Sequence, residues 1–247
     1  MKKHAFSLAA FTFLAAAAVA APPPGEGWAP LFNGKDFAGW KVPDAAKDCW
    51  SVVDGAIDCD PKTGRKGETS LWSEQEYGDI ELYCEWKIKR TEGSYDAPVV
   101  LPTGLHQKDA NGKDVVTPIA NADSGIYLRG TPNAQVNVWC WPVGSGEVYG
   151  YRMNDKMPPD VRAGVTPKKN ADKPVGEWNT FLITMKGDRL TVVLNGEAVI
   201  ENAQLPGVPA KGPIALQLHG GYDESKKEWN GASSLVQFKN IYVRPAK

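Results

Sequence analysis

The sequence predicts an all-β sandwich or jelly roll, and three observations carry that prediction. Its periodic segments alternate with period two, Gly, Asn and Asp punctuate them as turns, and no amphipathic helix of any length can be traced. DIELYCEWKI (79–88) sets Ile80, Leu82, Cys84, Trp86 and Ile88 against Glu81, Tyr83, Glu85 and Lys87. CWSVVDGAIDC reads as a hairpin turning on Asp54-Gly55. SGIYLRG sets Ile126 and Leu128 against Tyr127 and Arg129, and AQVNVWCW sets Val136, Val138 and Cys140 against Gln135, Asn137, Trp139 and Trp141. TFLITMKGDRLTVVLNGEAVI gives two strands around Gly187-Asp188 and a third after Asn195-Gly196. GPIALQLHGG places Ala215, Gln217 and His219 opposite Ile214, Leu216 and Leu218, and SLVQFKNIYVRP closes the chain as a last strand.

Residues 1–20 read as a secretory signal: Lys2 and Lys3, an apolar stretch, then Ala18-Val19-Ala20 as the cleavage site. The apolar run is too short for a transmembrane helix, so a periplasmic or secreted protein without a membrane anchor is expected. Removing Lys2 and Lys3 takes the formal net charge from −1 to −3, which gives no electrostatic reason to expect nucleic acid. Residues 21–247 then form a single domain with two long aperiodic loops, 91–122 and 142–177, rich in Gly, Pro, Asp and Lys. Loops of that length are often binding loops or lids. In an oxidising compartment the four cysteines could form disulfides. The hairpin register pairs Trp50 with Cys59, however, and puts Cys49 on the other face, which disfavours a Cys49–Cys59 bridge.

The polar faces of the strands carry carboxylates, Arg, His, amides and aromatics, a mixture suited to hydroxyl-rich ligands. The set is Glu81, Tyr83, Glu85, Lys87, Tyr127, Arg129, Gln135, Asn137, Trp139, Gln217 and His219. An ordinary glycosidase needs two carboxyl groups roughly 5–5.5 or 6.5–9.5 Å apart. Glu81 and Glu85 stand roughly 13 Å apart along a strand, and the loop residue Glu147 carries no positive sign of a role. There is no G-x-S-x-G elbow for a serine nucleophile, no zinc-type Cys/His spacing and no EF-hand loop.

A series of motifs, in order, covers nearly all of the chain after the leader. They are LFNGKDFAGW, WSVVDGAI, YGDIELYCEWKI, ADSGIYLRG, GEWNTFLITMKGDRLTVVLNG, GPIALQLHG and VQFKNIYVRP. The series resembles the 3-keto-disaccharide (3-keto-glycoside) hydrolase domain family. The resemblance implies a concanavalin-like jelly roll and cleavage of 3-keto-glycosides by C2 proton abstraction, β-elimination and hydration. That chemistry needs one base, one donor for the enolate oxygen and one proton source. In this reading Glu85 or His219 is the base and Arg129 anchors the substrate or stabilises the enolate. Gln217, Gln135, Tyr127 and Tyr83 would bind sugar hydroxyls, and Trp139 or Trp141 would supply a stacking floor. Asp123 replaces a usual Asn and adds a carboxylate. The family's Tyr-Glu-x-Gln-Ile-x-Asp strand is AQVNVWCWP here and lacks both acids. The sequence specifies no cofactor and leaves open a divalent metal in place of Arg129; the partner expected is an oxidised carbohydrate. The alternative function is a non-catalytic, lectin-like carbohydrate-binding module.

Overall fold

The computed structural model describes residues 25–61, 69–223, 225–230 and 234–246, together with Pro23. The signal-like leader lies outside the described residues. In chain order the first strands are β1 (Ala29–Pro30), β2 (Trp40–Lys41), β3 (Trp50–Val53), β4 (Ala56–Cys59), β5 (Leu71–Tyr77) and β6 (Ile80–Ile88). Next come β7 (Ser94–Pro98), β8 (Val116–Ala120), β9 (Asp123–Leu128) and β10 (Thr131–Trp139), then the helices α1 (Tyr149–Arg152) and α2 (Pro159–Gly164). The chain continues with β11 (Asn179–Lys186), β12 (Arg189–Leu194), β13 (Glu197–Gln204), β14 (Gly212–Leu216), β15 (Gly221–Asp223), β16 (Glu228–Asn230) and β17 (Val236–Pro245).

Two antiparallel sheets form the jelly-roll sandwich. One has the order β13-β12-β11-β6-β17-β4-β3, with β1 also on β17; the other has the order β10-β9-β14-β5-β2. The alternation in the sequence decides which residues lie between them. Ile80, Leu82, Cys84, Trp86 and Ile88 of β6 face Ile126, Leu128, Val136, Val138, Ile214 and Leu216 in one apolar core. Burying each large apolar side chain contributes about 1.5–3 kcal/mol. The turns follow their residues: Asp54-Gly55, Arg129-Gly130 and Asn195-Gly196 all have positive φ at both positions, as two-residue hairpin turns require.

The two long loops depart from the reading of the sequence. Residues 91–122 contain the β7–β8 hairpin, whose Ala97 and Ile119 pack with Trp139 and Trp141 in a second apolar cluster. Residues 142–177 contain both helices, which were not expected. At 4 and 6 residues, they are too short to show a 3.6-residue period. This insertion completes a side wall of the sandwich. The backbones of Gly146 and Glu147 pair with Asn137 at the edge of β10, and Lys168 pairs with Val199 of β13 on the other sheet. Between those edges Val148, Tyr151, Val161 and Val165 enter the main core. No helix among the described residues is long and apolar enough to cross a membrane.

Candidate functional site

The outer face of the five-stranded sheet carries a polar and aromatic surface arranged in rows across β10, β9 and β14. One row pairs Gln135 with Tyr127 and Tyr127 with Ala215; the next pairs Asn137 with Gly125, whose carbonyl accepts from the Gln217 backbone; the third pairs Trp139 with Asp123. His219 joins the third row, its Nδ1 3.7 Å from Asp123 Oδ2. Ser234 Oγ fixes that approach: it accepts from the His219 N–H, and its single O–H lies within reach of the carbonyls of Asp123 (2.7 Å) and His219 (2.8 Å). Gln135 Nε2 donates to Gln217 Oε1 at 2.5 Å, which leaves the Gln217 amide N–H groups as donors on this face. The amide pair can cross β9 because residue 125 is glycine: a Cβ there would lie 2.5 Å from Gln135 Nε2.

The long insertion brings a second carboxylate behind the first. Glu147 is fully buried and accepts from Arg152 Nε at 2.5 Å. Burial pushes the Asp123 carboxyl up to about 8, and the nearby Glu147 charge adds to the shift. Burial also pushes Glu147 up to about 7, against the lowering effect of Arg152, and holds His219 below its ordinary 6.5. Near neutral pH the row therefore presents a protonated carboxyl beside a neutral imidazole. A proton donor and a proton acceptor side by side are the elements of acid–base catalysis.

Of the residues expected at the site, Asp123, Tyr127, Gln135, Trp139, Gln217 and His219 share this face. Tyr127 packs against Trp72 with ring centroids 5.6 Å apart. Trp139 and Trp141 stack on each other (4.4 Å, 8°) and are 3% and 8% exposed. Their indole N–H groups donate to Gly144 O and Tyr95 Oη, so the pair forms a wall and not the open stacking floor expected. Beside it opens a cleft of about 340 Å³, lined by Trp86, Trp139, Trp141, Asp172 and Asn179 among others.

Three expected residues lie elsewhere. Glu85 and Tyr83 project from the outer face of the opposite sheet, since their neighbours Cys84 and Trp86 fill the core. Glu85 accepts from Asn240 (2.9 Å) and Tyr83 Oη (3.2 Å) and pairs with Lys239 (3.5 Å). With the two sheets roughly 10 Å apart, a residue on one outer face cannot meet one on the other. Arg129 is a turn residue with φ 55°, so the alternation that set it beside Tyr127 ends at Leu128. The residue is 4% exposed, and its guanidinium is tied to Asp79 (2.9 Å), to the Pro209 carbonyl (2.9 Å) and to that of Ala210. Glu85, Arg129 and His219 thus do not converge on one pocket.

Sequence reasoning named Glu147 only as a possible second carboxylate without a sign of a role and missed Arg152; both lie in an aperiodic segment where no pattern marks a buried pair. All four cysteines are free thiols, and the Trp50↔Cys59 register is as the hairpin predicts, although Cys49 is buried too. Among the described residues there is no group of three or more His, Cys, Asp and Glu side chains placed to hold a metal.

The fold has clear relatives among solved structures. One candidate glycosyl hydrolase from Parabacteroides distasonis is 21% identical, with a TM-score of 0.55 over 89% of this chain and 84% of that one. Another from the same organism is 20% identical, with a TM-score of 0.55 over 90% of this chain and 100% of that one. At such identities the likeness speaks for the fold alone. No curated protein sequence matches the chain. The family model described as a 3-keto-alpha-glucoside-1,2-lyase-like domain matches residues 27–244, and it accounts for both sheets and for the segments that bring Asp123, Glu147 and His219 together: the chain belongs to that family.

Proposed function

We propose that this protein is an exported enzyme that cleaves 3-keto-glycosides, using His219 as base and Asp123 as acid. The observation that carries the reading is the third row: a neutral imidazole 3.7 Å from a carboxyl that stays protonated to about 8. A ketone at C3 acidifies the hydrogen on C2. His219 takes that proton, and the electron pair moves into the enolate, whose oxygen the Gln217 amide stabilises by hydrogen bonding. The C1–O bond then breaks, and Asp123 gives its proton to the departing oxygen. Water adds to C1 of the enone as its proton goes to the Asp123 carboxylate. His219 returns its proton to C2, so both groups recover their starting states and the net change is hydrolysis.

The membership of the family supports this substrate class, and the geometry supports His219 over Glu85 as the base. The test is incubation of the leaderless protein with a 3-keto-glucoside beside its unoxidised parent, following release of 3-ketoglucose. Cleavage of the keto sugar alone, abolished in His219→Ala and Asp123→Asn, is the expected result. Cleavage of neither sugar would overturn the enzyme reading and favour a carbohydrate-binding module, with glycan binding as the next measurement.

A further inference from the structure

The two insertions meet at a basic cavity that the proposed reaction does not use. Residues 104–108 of the first and 152–162 of the second enclose about 300 Å³, lined by Gly104, Leu105, His106, Lys108, Arg152, Met153, Asp155 and Arg162. The junction is close-packed: Arg152 Nη1 donates to the Gly104 carbonyl at 3.2 Å, and a Cβ at Gly104 would lie 2.7 Å from the Arg162 carbonyl. Arg152 Nη2, Arg162 Nε and His106 Nε2 are each buried without a hydrogen-bond partner among the described residues. Native proteins seldom leave buried guanidinium N–H groups without an acceptor, and here two arginines do so beside one cavity.

The charges leave room for one more anion. Arg152 is matched by Glu147, and Lys108 and His106 both face Asp114 (2.7 and 3.4 Å). The Arg162 guanidinium has no acidic partner among the described residues, and the sole acid in the lining, Asp155, is exposed. We propose that this junction binds a small organic oxyanion of monosaccharide size, a carboxylate or phosphate that takes hydrogen bonds from Arg152 and Arg162. Guanidinium groups suit such ligands because their planar forks pair with two oxygens at once. A volume of about 300 Å³ lies at the lower end of small-molecule sites and exceeds what a bare ion fills. The proposal does not rest on the 3-keto-glycoside reading.

The test is calorimetric titration of the wild-type protein with glucuronate, glucose 6-phosphate, inorganic phosphate, inorganic sulfate and, as a neutral control, glucose. Saturable binding of glucuronate or glucose 6-phosphate is expected, with no heat from glucose. Loss of a charge-assisted pair in Arg162→Gln should weaken it more than about tenfold. Asp123→Asn should bind as the wild type does, which separates this cavity from the proposed catalytic row. Binding of phosphate or sulfate alone would overturn the organic ligand. Absence of binding to any probe, or equal binding by a folded Arg162→Gln variant, would overturn the site.

Discussion

At the scale of single residues, environment separates side chains that look alike in the sequence. Asp123 and Glu85 are both carboxylates on polar strand faces, yet Asp123 makes no side-chain hydrogen bond among the described residues and rises to about 8. Glu85 instead sits among Asn240, Lys239 and Tyr83. Rate profiles should be bell-shaped, falling at low pH as His219 takes a proton and above about 8 as Asp123 loses one. Asp123→Asn should remove at least about 100-fold in turnover, the usual contribution of a positioned acid. Its effect on stability should have the opposite sign. A carboxyl whose native value is raised from 3.8 to about 8 keeps a proton the unfolded chain has lost, so wild-type stability declines across that interval. The Tm advantage of Asp123→Asn should therefore grow from pH 4 to pH 8 and then level off. Glu85→Gln should keep turnover within a few-fold and cost about 0–1 kcal/mol in chemical denaturation, as surface pairs do.

At the scale of elements, the site depends on how strands and insertions meet. Gly125→Ala would push its methyl into Gln135 Nε2 and the Val136 carbonyl, 2.5 and 2.8 Å from the Cβ position. We expect it to disrupt the Gln135–Gln217 pair and lower kcat, with a destabilisation of about 1–3 kcal/mol from overpacking. The Glu147–Arg152 pair braces the second insertion internally, and Arg152 links it to the Gly104 carbonyl of the first. Either single change, Glu147→Gln or Arg152→Met, should cost about 3–5 kcal/mol by leaving one buried charge, and the double change should recover part of it. A double-mutant cycle by urea denaturation reads this directly.

At the scale of the whole molecule, the sandwich places its two polar faces on opposite sides, and only one carries the Asp123–His219 row. The other is a satisfied surface: Glu81 pairs with Arg244 and Glu85 with Lys239 across the β6–β17 ladder, while Trp28 covers Arg244. The core also governs the thiols. Burial pushes Cys59 and Cys84 well above their ordinary range, whereas Cys140 is half-buried and reaches about 11. In the native protein Ellman's reagent should reach Cys140 first. Cys49, Cys59 and Cys84 should react only on unfolding, and four thiols in total should be counted.

What the sequence determined by itself is the fold class, the strand faces and the hairpin turns. Those are local matters, set by a two-residue side-chain period and by Gly, Asn and Asp tolerating positive φ. Its alternation put Gln135, Trp139, Gln217 and His219 on the faces where they are found, and the segment carrying Asp123 stood out within the family motif. Alternation cannot say which sheet a strand joins, however, so Glu85 and His219 were equivalent until β6 and β14 fell into different sheets. Nor could it follow Arg129 around a turn whose positive φ carries the side chain off the face. The Glu147–Arg152 pair and the basic cavity come from aperiodic insertions: the pair is only five residues apart, but the segment that closes over it, around Gly104, lies far away in the chain. Only tertiary packing decides which of their charges are buried, because desolvation depends on what surrounds a group and not on its neighbours in sequence.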